Sequence, residues 1–327
     1  MAASTIAILT YVALALTALA AVLAWGVRHG RAYTARMEAQ FPPSGRFIEA
    51  EGVKLHVGER GETGAPRLFL IHGAATAMPD LILPIEAISA GAHHIAAYDR
   101  PGLGYSERPA RAHELKVQAA CAAAALEQTG DGGPALVIGH SLGAAVALRL
   151  AHERPDLVRG LLLLAPASHP FPGKTVWWSR VAANPLFGPL FCAALIPLFG
   201  PPSLPGALKR VFFPAKPPPD YAERIGLKLI FRPRPFRASA LDVAATKREF
   251  ARQMQFYAEL LTPAIIITSD VDKVVSPRIH ARALAFDMGA ELVTAPGAGH
   301  APHATRPDLI EAAIARLEAM AASASED

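Results

Sequence analysis

The sequence predicts an α/β fold: a mostly parallel central sheet flanked by helices, preceded by one apolar N-terminal helix. Three observations carry this expectation. Arg67–Ile71, Ile95–Tyr98, Ala135–Ile138 and Leu161–Ala165 are short and apolar at nearly every position, which suits strands covered on both faces. Helical patterns, Leu115–Gln128 and the Ala-rich Leu142–Glu153, sit between them, and strand–helix alternation implies parallel strands joined by crossovers. The alternation stops at Pro166 and resumes at Ala264, which marks an insertion.

Taken in order, the chain begins with an apolar run. From Thr5 to Trp25 there is no charged residue, and about 20 helical residues at about 1.5 Å each cross a hydrocarbon core of about 30 Å. Trp25 closes the run and Tyr33 follows among Arg28, Arg31 and Arg36, where aromatic and basic anchors sit at a membrane boundary. A cleaved signal peptide would carry a basic segment ahead of a shorter apolar core. No Lys or Arg precedes this run, although Ala18-Leu19-Ala20 has cleavage-site character. A buried core helix is the third reading. The expectation is a retained anchor over residues 1–27 and a linker over 28–45, ending in Pro42-Pro43-Ser44-Gly45. Because the arginines follow the span, the positive-inside rule places the remainder in the cytoplasm.

Phe47–Glu51 and Val53–Arg60 read as two strands joined by a tight turn at Gly52, and the four apolar strands follow. The insertion from His169 to Thr262 contains Trp177, Trp178, Phe187, Phe191, Phe199, Phe212 and Phe213. A structureless loop of that length is implausible in a compact domain, so a helical cap is expected. Thirteen Lys and Arg against five acids make the cap basic, which reads either as a solvated face or as a surface that rests on anionic headgroups beside the anchor and makes the membrane a partner of the cap as well. Ala264–Thr268 and Glu291–Ala295 then read as strands, Arg278–Met288 and Asp308–Ala322 as helices. The core therefore comprises residues 46–168 and 263–322, the cap 169–262, and 323–327 a disordered tail.

Composition narrows the function. A net charge of +4 over 327 residues does not point to nucleic acid, so none is expected as a partner. No zinc-ligand, phosphate-loop or dinucleotide pattern appears, so neither a cofactor nor a metal is expected. Cys121 and Cys192 lack framework or ligand spacing and read as buried free thiols.

The chemistry is concentrated in Gly139-His140-Ser141-Leu142-Gly143, placed between a strand and a helix. A serine there sits on a sharp turn, with glycines on either side to let the backbones pass. The helix that follows points its N-terminal amides at any anion formed beside Ser141. Serine needs a base to take its proton and an acid to orient that base. Two downstream loops offer them: Thr268-Ser269-Asp270-Val271-Asp272-Lys273, and Gly297-Ala298-Gly299-His300 with His303 close behind.

Four further stretches share one pattern: Leu70-Ile71-His72-Gly73-Ala74, Asp99-Arg100-Pro101-Gly102-Leu103-Gly104-Tyr105-Ser106, Asp272-Lys273-Val274-Val275-Ser276-Pro277, and Gly299-His300 leading to Pro307. With the serine elbow, they resemble the lid-bearing α/β hydrolases, a superfamily of esterases, lipases, haloperoxidase-like enzymes and C–C hydrolases. The resemblance implies an α/β-hydrolase fold with the cap inserted after the sixth strand. It aligns the catalytic acid with Asp272 and not Asp270, although Ser269 stands where the family usually has glycine. It aligns the histidine with His300, leaving His303 as a structural or lining residue. The oxyanion hole maps to the backbone amides of Ala74 and Leu142. His72, Asp99, Arg100, Ser106 and His140 map to scaffold positions. Serine at 141 sets the chain apart from epoxide hydrolases and haloalkane dehalogenases, whose nucleophile here is aspartate.

The activity implied is hydrolysis of small to medium hydrophobic carboxylic esters through an acyl-enzyme, on a small-molecule or lipid-like substrate. C–C or amide hydrolysis, acyl transfer and perhydrolysis would use the same triad. A non-catalytic membrane-bound binding protein is the alternative outside enzymology.

Overall fold

The computed structural model describes residues 2–173 and 175–323, with side chains from Thr5 onward. Helix α1 (Ala2–Gln40) leads into the hairpin β1 (Arg46–Ala50) and β2 (Val53–Arg60). The core continues through β3 (Arg67–Ile71), α2 (Pro79–Ser89), β4 (His94–Tyr98), α3 (Leu115–Glu127), β5 (Ala135–His140), α4 (Leu142–Glu153) and β6 (Val158–Leu164). The insertion supplies α5 (Trp177–Ala183), α6 (Gly188–Ala194), α7 (Ile196–Phe212), α8 (Tyr221–Arg224) and α9 (Pro233–Gln253). The core closes with β7 (Ala264–Thr268), α10 (Ala281–Met288), β8 (Glu291–Thr294), α11 (Pro302–Thr305) and α12 (Pro307–Ser323).

The eight strands form one sheet in the order β1-β2-β4-β3-β5-β6-β7-β8. β2 is antiparallel to both β1 and β4, and every pairing from β4 to β8 is parallel. Residues on β3, β5 and β7, and on β6 from Gly160 to Leu164, are buried on both faces, as the unbroken apolar runs require. One face packs on α2 and α12 through Leu81, Ile85, Ile310 and Leu317. The other packs on α3, α4 and α10, where Ala144, Ala145 and Ala147 lie against the sheet. Cys121 and Cys192 are buried and unpaired.

Two differences from the sequence reading lie toward the ends of the chain, while within the core β6 begins at Val158 instead of Leu161 and α10 at Ala281 instead of Arg278. α1 does not end at the apolar run but continues unbroken to Gln40, so residues 28–40 of the expected linker are helical. The reason is tertiary: Gly26, Gly30, Tyr33 and Met37 are buried, and α1 packs on α6 and α7 along this stripe. At the other end α12 runs to Ser323, and the rest of the expected tail, 324–327, lies outside the described residues. Thr5–Gln40 is long and apolar enough to cross a membrane, and its most apolar window is wholly exposed; a signal sequence would pass the same test.

Candidate active site

The strand order locates the site. β4 and β5 lie on opposite sides of β3, so the chain changes winding direction there, and ligands bind at the carboxyl ends of strands at such a switch point. The segments leaving those ends are His72-Gly73-Ala74 after β3 and Ser141 after β5.

Ser141 has φ 53° and ψ −117°, a strained conformation of the kind that clusters at functional sites. The turn is held by Ser141 N–H donating to the Leu164 carbonyl at 2.9 Å and by Ala167 N–H donating to the Ser141 carbonyl at 3.1 Å. Gly143 explains why α4 can start so abruptly: a Cβ there would stand 2.1 Å from the Ile71 carbonyl oxygen and 2.6 Å from that of His72. Gly143→Ala is therefore expected to destabilise the fold by about 1–3 kcal/mol, as overpacking does, seen as a lower thermal unfolding midpoint. Gly206→Ala, on α7 with open space around it, should leave the midpoint unchanged or raise it.

Ser141, Asp272 and His300 come together at the carboxyl edge of the sheet. His300 Nε2 lies 3.0 Å from Ser141 Oγ, and His300 Nδ1 lies 2.7 Å from Asp272 Oδ2. A carboxylate only accepts, so Nδ1 carries the proton and Nε2 is left to accept from the serine hydroxyl. The other Asp272 oxygen accepts the amides of Val274 and Val275 at 2.7 and 3.0 Å, which fixes the carboxylate. Leu142 is the first residue of α4, so its amide has no acceptor within the helix. Gly73 lies directly against Ser141, with an added Cβ 3.2 Å from the serine Cβ, which puts the Gly73–Ala74 segment beside the hydroxyl.

The competing residues have other partners. Asp270 accepts the Gly297 amide at 3.1 Å and so ties the acid loop to the histidine loop. Ser269, the departure from glycine, accepts the Gly299 amide through Oγ at 3.1 Å and makes a second tie between the same loops. His303 faces Asp80 at 3.4 Å. His72 spans Gly73 O and the Arg100 amide. Asp99 accepts the amides of Met78 and Tyr105 and pairs with His56 at 2.7 Å. Arg100, fully buried, meets Asp242 of α9 at 3.1 Å and couples core to cap. Ser106 Oγ donates to the Asp99 carbonyl.

A brace not visible in the sequence stands beneath the histidine. Asp80 on α2 accepts from Tyr221 of α8 and from His303, and His140 Nε2–H donates to the His300 carbonyl at 2.8 Å. Asp80, His140 and His303 are of metal-binding type, with donor atoms within 4.8 Å of one another; as arranged, they tie α2, α8, the elbow and the histidine loop together. Burial would raise the Asp80 carboxyl, but His303, His140 and the Tyr221 hydroxyl hold it well below the carboxylate range.

Three buried histidines set a pH dependence. Burial pushes His72 down to about 4, with Arg100 adding to the effect. Burial, then His169, does the same to His280, also to about 4. His140 is held well below the ordinary value by burial, then by His303 and His300. The unfolded chain protonates these groups below about 6.5 while the folded chain keeps them neutral. Unfolding therefore takes up protons between about 6.5 and about 4, and stability falls as pH falls through that window. Each group contributes a slope of about 1.4 kcal/mol per pH unit, and thermal unfolding at stepped pH is expected to show the decline.

The site is roofed. Ser141, Asp272 and His300 are buried, and the end of α7 lies on the histidine loop, with the His300 amide donating to the Val211 carbonyl at 2.7 Å. Lys273 Nζ stands 3.1 Å from the Phe213 ring centre. An open cavity of about 280 Å³ lies away from the serine, beneath the end of α1, lined by Phe41, Pro42, His56, Met78, Tyr105 and Leu229.

Fold and site together define an α/β-hydrolase scaffold on which a serine, a histidine and an aspartate are joined by hydrogen bonds. The model of the alpha/beta hydrolase family matches residues 68–313, and the chain belongs to that family. The chain is 38% identical to Lipase LipV of Mycobacterium tuberculosis over 121 residues, 35% of this chain and 42% of that protein. It is 34% identical to 2-hydroxymuconate semialdehyde hydrolase of Pseudomonas putida over 139 residues, 41% and 47% of the two chains. It thus spans less than half the length of these curated relatives. The solved structure of a putative lipase from Acinetobacter baumannii superposes with a TM-score of 0.67 at 18% identity, over 90% of this chain and 97% of that one, a likeness of fold.

Proposed function

We propose that the chain is a membrane-anchored serine hydrolase that cleaves carboxylic esters of small to medium hydrophobic compounds. The observation that carries this reading is the unbroken hydrogen-bond chain from Asp272 through His300 to Ser141. Ser141 Oγ attacks the ester carbonyl as His300 Nε2 takes its proton, and Asp272 holds the imidazole and stabilises its cation. The amides of Leu142 and Ala74 receive the oxyanion. Collapse breaks the bond to the leaving alkoxide, which takes the proton from His300. Water, deprotonated in turn by His300, then frees the acid and restores the serine. Asp270 ties loops and takes no part in proton transfer.

The aromatic-rich cap over the buried triad supports a hydrophobic acyl or alcohol part in the substrate. α1 is the anchor, retained, with the catalytic domain on the cytoplasmic side. The reading takes residues 46–168 with 263–322 as the core and 169–262 as the cap, supported by the helical insertion after β6. The test is hydrolysis of p-nitrophenyl esters from acetate to palmitate by the detergent-solubilised protein. A rate that rises and then cuts off with acyl length supports the reading and reports the depth of the cleft. Inertness across the series rejects ester hydrolysis and leaves C–C cleavage, amide cleavage or acyl transfer by the same residues.

A further inference from the structure

We propose that the cap helices α6 and α7 form a bent hairpin seated in the bilayer interface at the foot of α1, so that the protein meets the membrane through its cap as well as its anchor. The proposal rests on the reading of α1 as a retained span. Four observations support it. From Val181 to Leu208 the chain carries no charged residue, with Arg180 before the stretch and Lys209 and Arg210 after it. α6 and α7 together are apolar and long enough to span, yet they bend by 74° where they meet, and the glycines of α1 that touch the bend, Gly26 and Gly30, follow its exposed apolar run, which suits a pair lying at the bilayer surface.

The hairpin is also fastened to the span. An added Cβ at Gly26 would stand 2.8 Å from the Ala194 carbonyl oxygen, and one at Gly30 2.3 Å from that of Ala193. Glycines four residues apart share one face of α1 and let the two backbones approach closely. Gly26 directly follows Trp25, where the exposed apolar run ends, so the seam begins at the membrane boundary. Below the seam, Tyr33 donates to the Lys228 carbonyl at 2.8 Å, and Glu38 pairs with Arg232 at 2.7 Å, which tie the cap to α1.

Finally, the hairpin and the turn that leads into it leave large apolar side chains exposed among the described residues: Leu186 is 74% exposed, Phe187 64% and Phe199 69%. Several exposed large apolar side chains on one short stretch mark a contact, and the packing of α6 and α7 on α1 where its exposed apolar run ends selects lipid as the occupant. Basic residues at both ends of the uncharged stretch suit the headgroup layer.

The test places a single environment-sensitive fluorophore on full-length protein reconstituted in phosphatidylcholine vesicles. The native thiols, Cys121 and Cys192, are buried, so a thiol-reactive dye reports from a cysteine introduced at an exposed site. Leu186→Cys and Phe199→Cys test the hairpin, Leu16→Cys reports the span, and Phe286→Cys, exposed on α10 of the core, reports water. The expected result is blue-shifted emission at 186 and 199 that brominated acyl chains largely extinguish, as at 16, with no change at 286. Lipid-like emission at 16 with water-like emission at 186 and 199 overturns the proposal and leaves the anchor standing. Water-like emission or a missing label at 16 removes the anchor itself, and the proposal with it.

Discussion

Ser141→Ala is expected to lower kcat for p-nitrophenyl ester hydrolysis by a factor of roughly 10⁴ to 10⁶, the range for loss of a nucleophile whose base and acid remain. The size follows from the absence of a substitute. Ser168 is held by His169 and by the His280 carbonyl, Ser269 accepts the Gly299 amide, and Ser106 donates to Asp99. None of these hydroxyls faces His300. The variant should fold normally, because the turn at 141 is held by backbone bonds to Leu164 and Ala167 that alanine keeps. KM should change little, since the amides proposed for the oxyanion stay in place and the cleft is untouched. Steady-state kinetics beside a thermal melt checks both halves. A variant that melts normally and retains more than a few per cent of the rate would show that the nucleophile lies elsewhere.

Much of the core was legible because its signals are local. Strands β2, β3 and β7 and helix α4 have the limits their apolar patterns gave, and the serine turn is announced by its glycines. α2 was not recognised: Pro84 lies inside it and Asp80 near its start is buried, so neither periodicity nor polarity marks a helix. That omission hid the Asp80 brace, whose members come from four separate parts of the chain. Arg28, Arg31 and Arg36 made the second half of α1 look like a linker, yet they sit between its buried positions, Gly26, Gly30, Tyr33 and Met37. The roof on His300 is equally non-local, being a carbonyl at the end of α7. The uncharged stretch from Val181 to Leu208 is legible, but its sequence does not say which of its aromatic residues face the core. Phe212 is indeed buried and Trp178 lies against Phe236, while Phe187 and Phe199 face outward.

The neighbouring acids can be told apart by one pair of substitutions. Asp272→Asn is expected to lower kcat by about 10⁴, the loss seen when a triad acid becomes an amide and the imidazole is held in the wrong tautomer. The local bonds direct that outcome. The oxygen that accepts Val274 and Val275 N–H must remain an oxygen, so the new amide nitrogen is turned toward His300 Nδ1. Two donors cannot share that contact, and the histidine moves its proton to Nε2, where it can no longer accept from Ser141. Asp270→Asn keeps an oxygen for the Gly297 amide and leaves the triad unchanged, so its rate should stay within about threefold of the parent, as for a surface loop substitution of under 1 kcal/mol. Raising the pH should not restore Asp272→Asn to the parent rate, because its defect is the placement of a proton on neutral imidazole. If Asp270→Asn instead carries the large loss and Asp272→Asn is nearly neutral, the acid has been assigned to the wrong residue of the loop, and the 2.7 Å contact to His300 is a structural tie only.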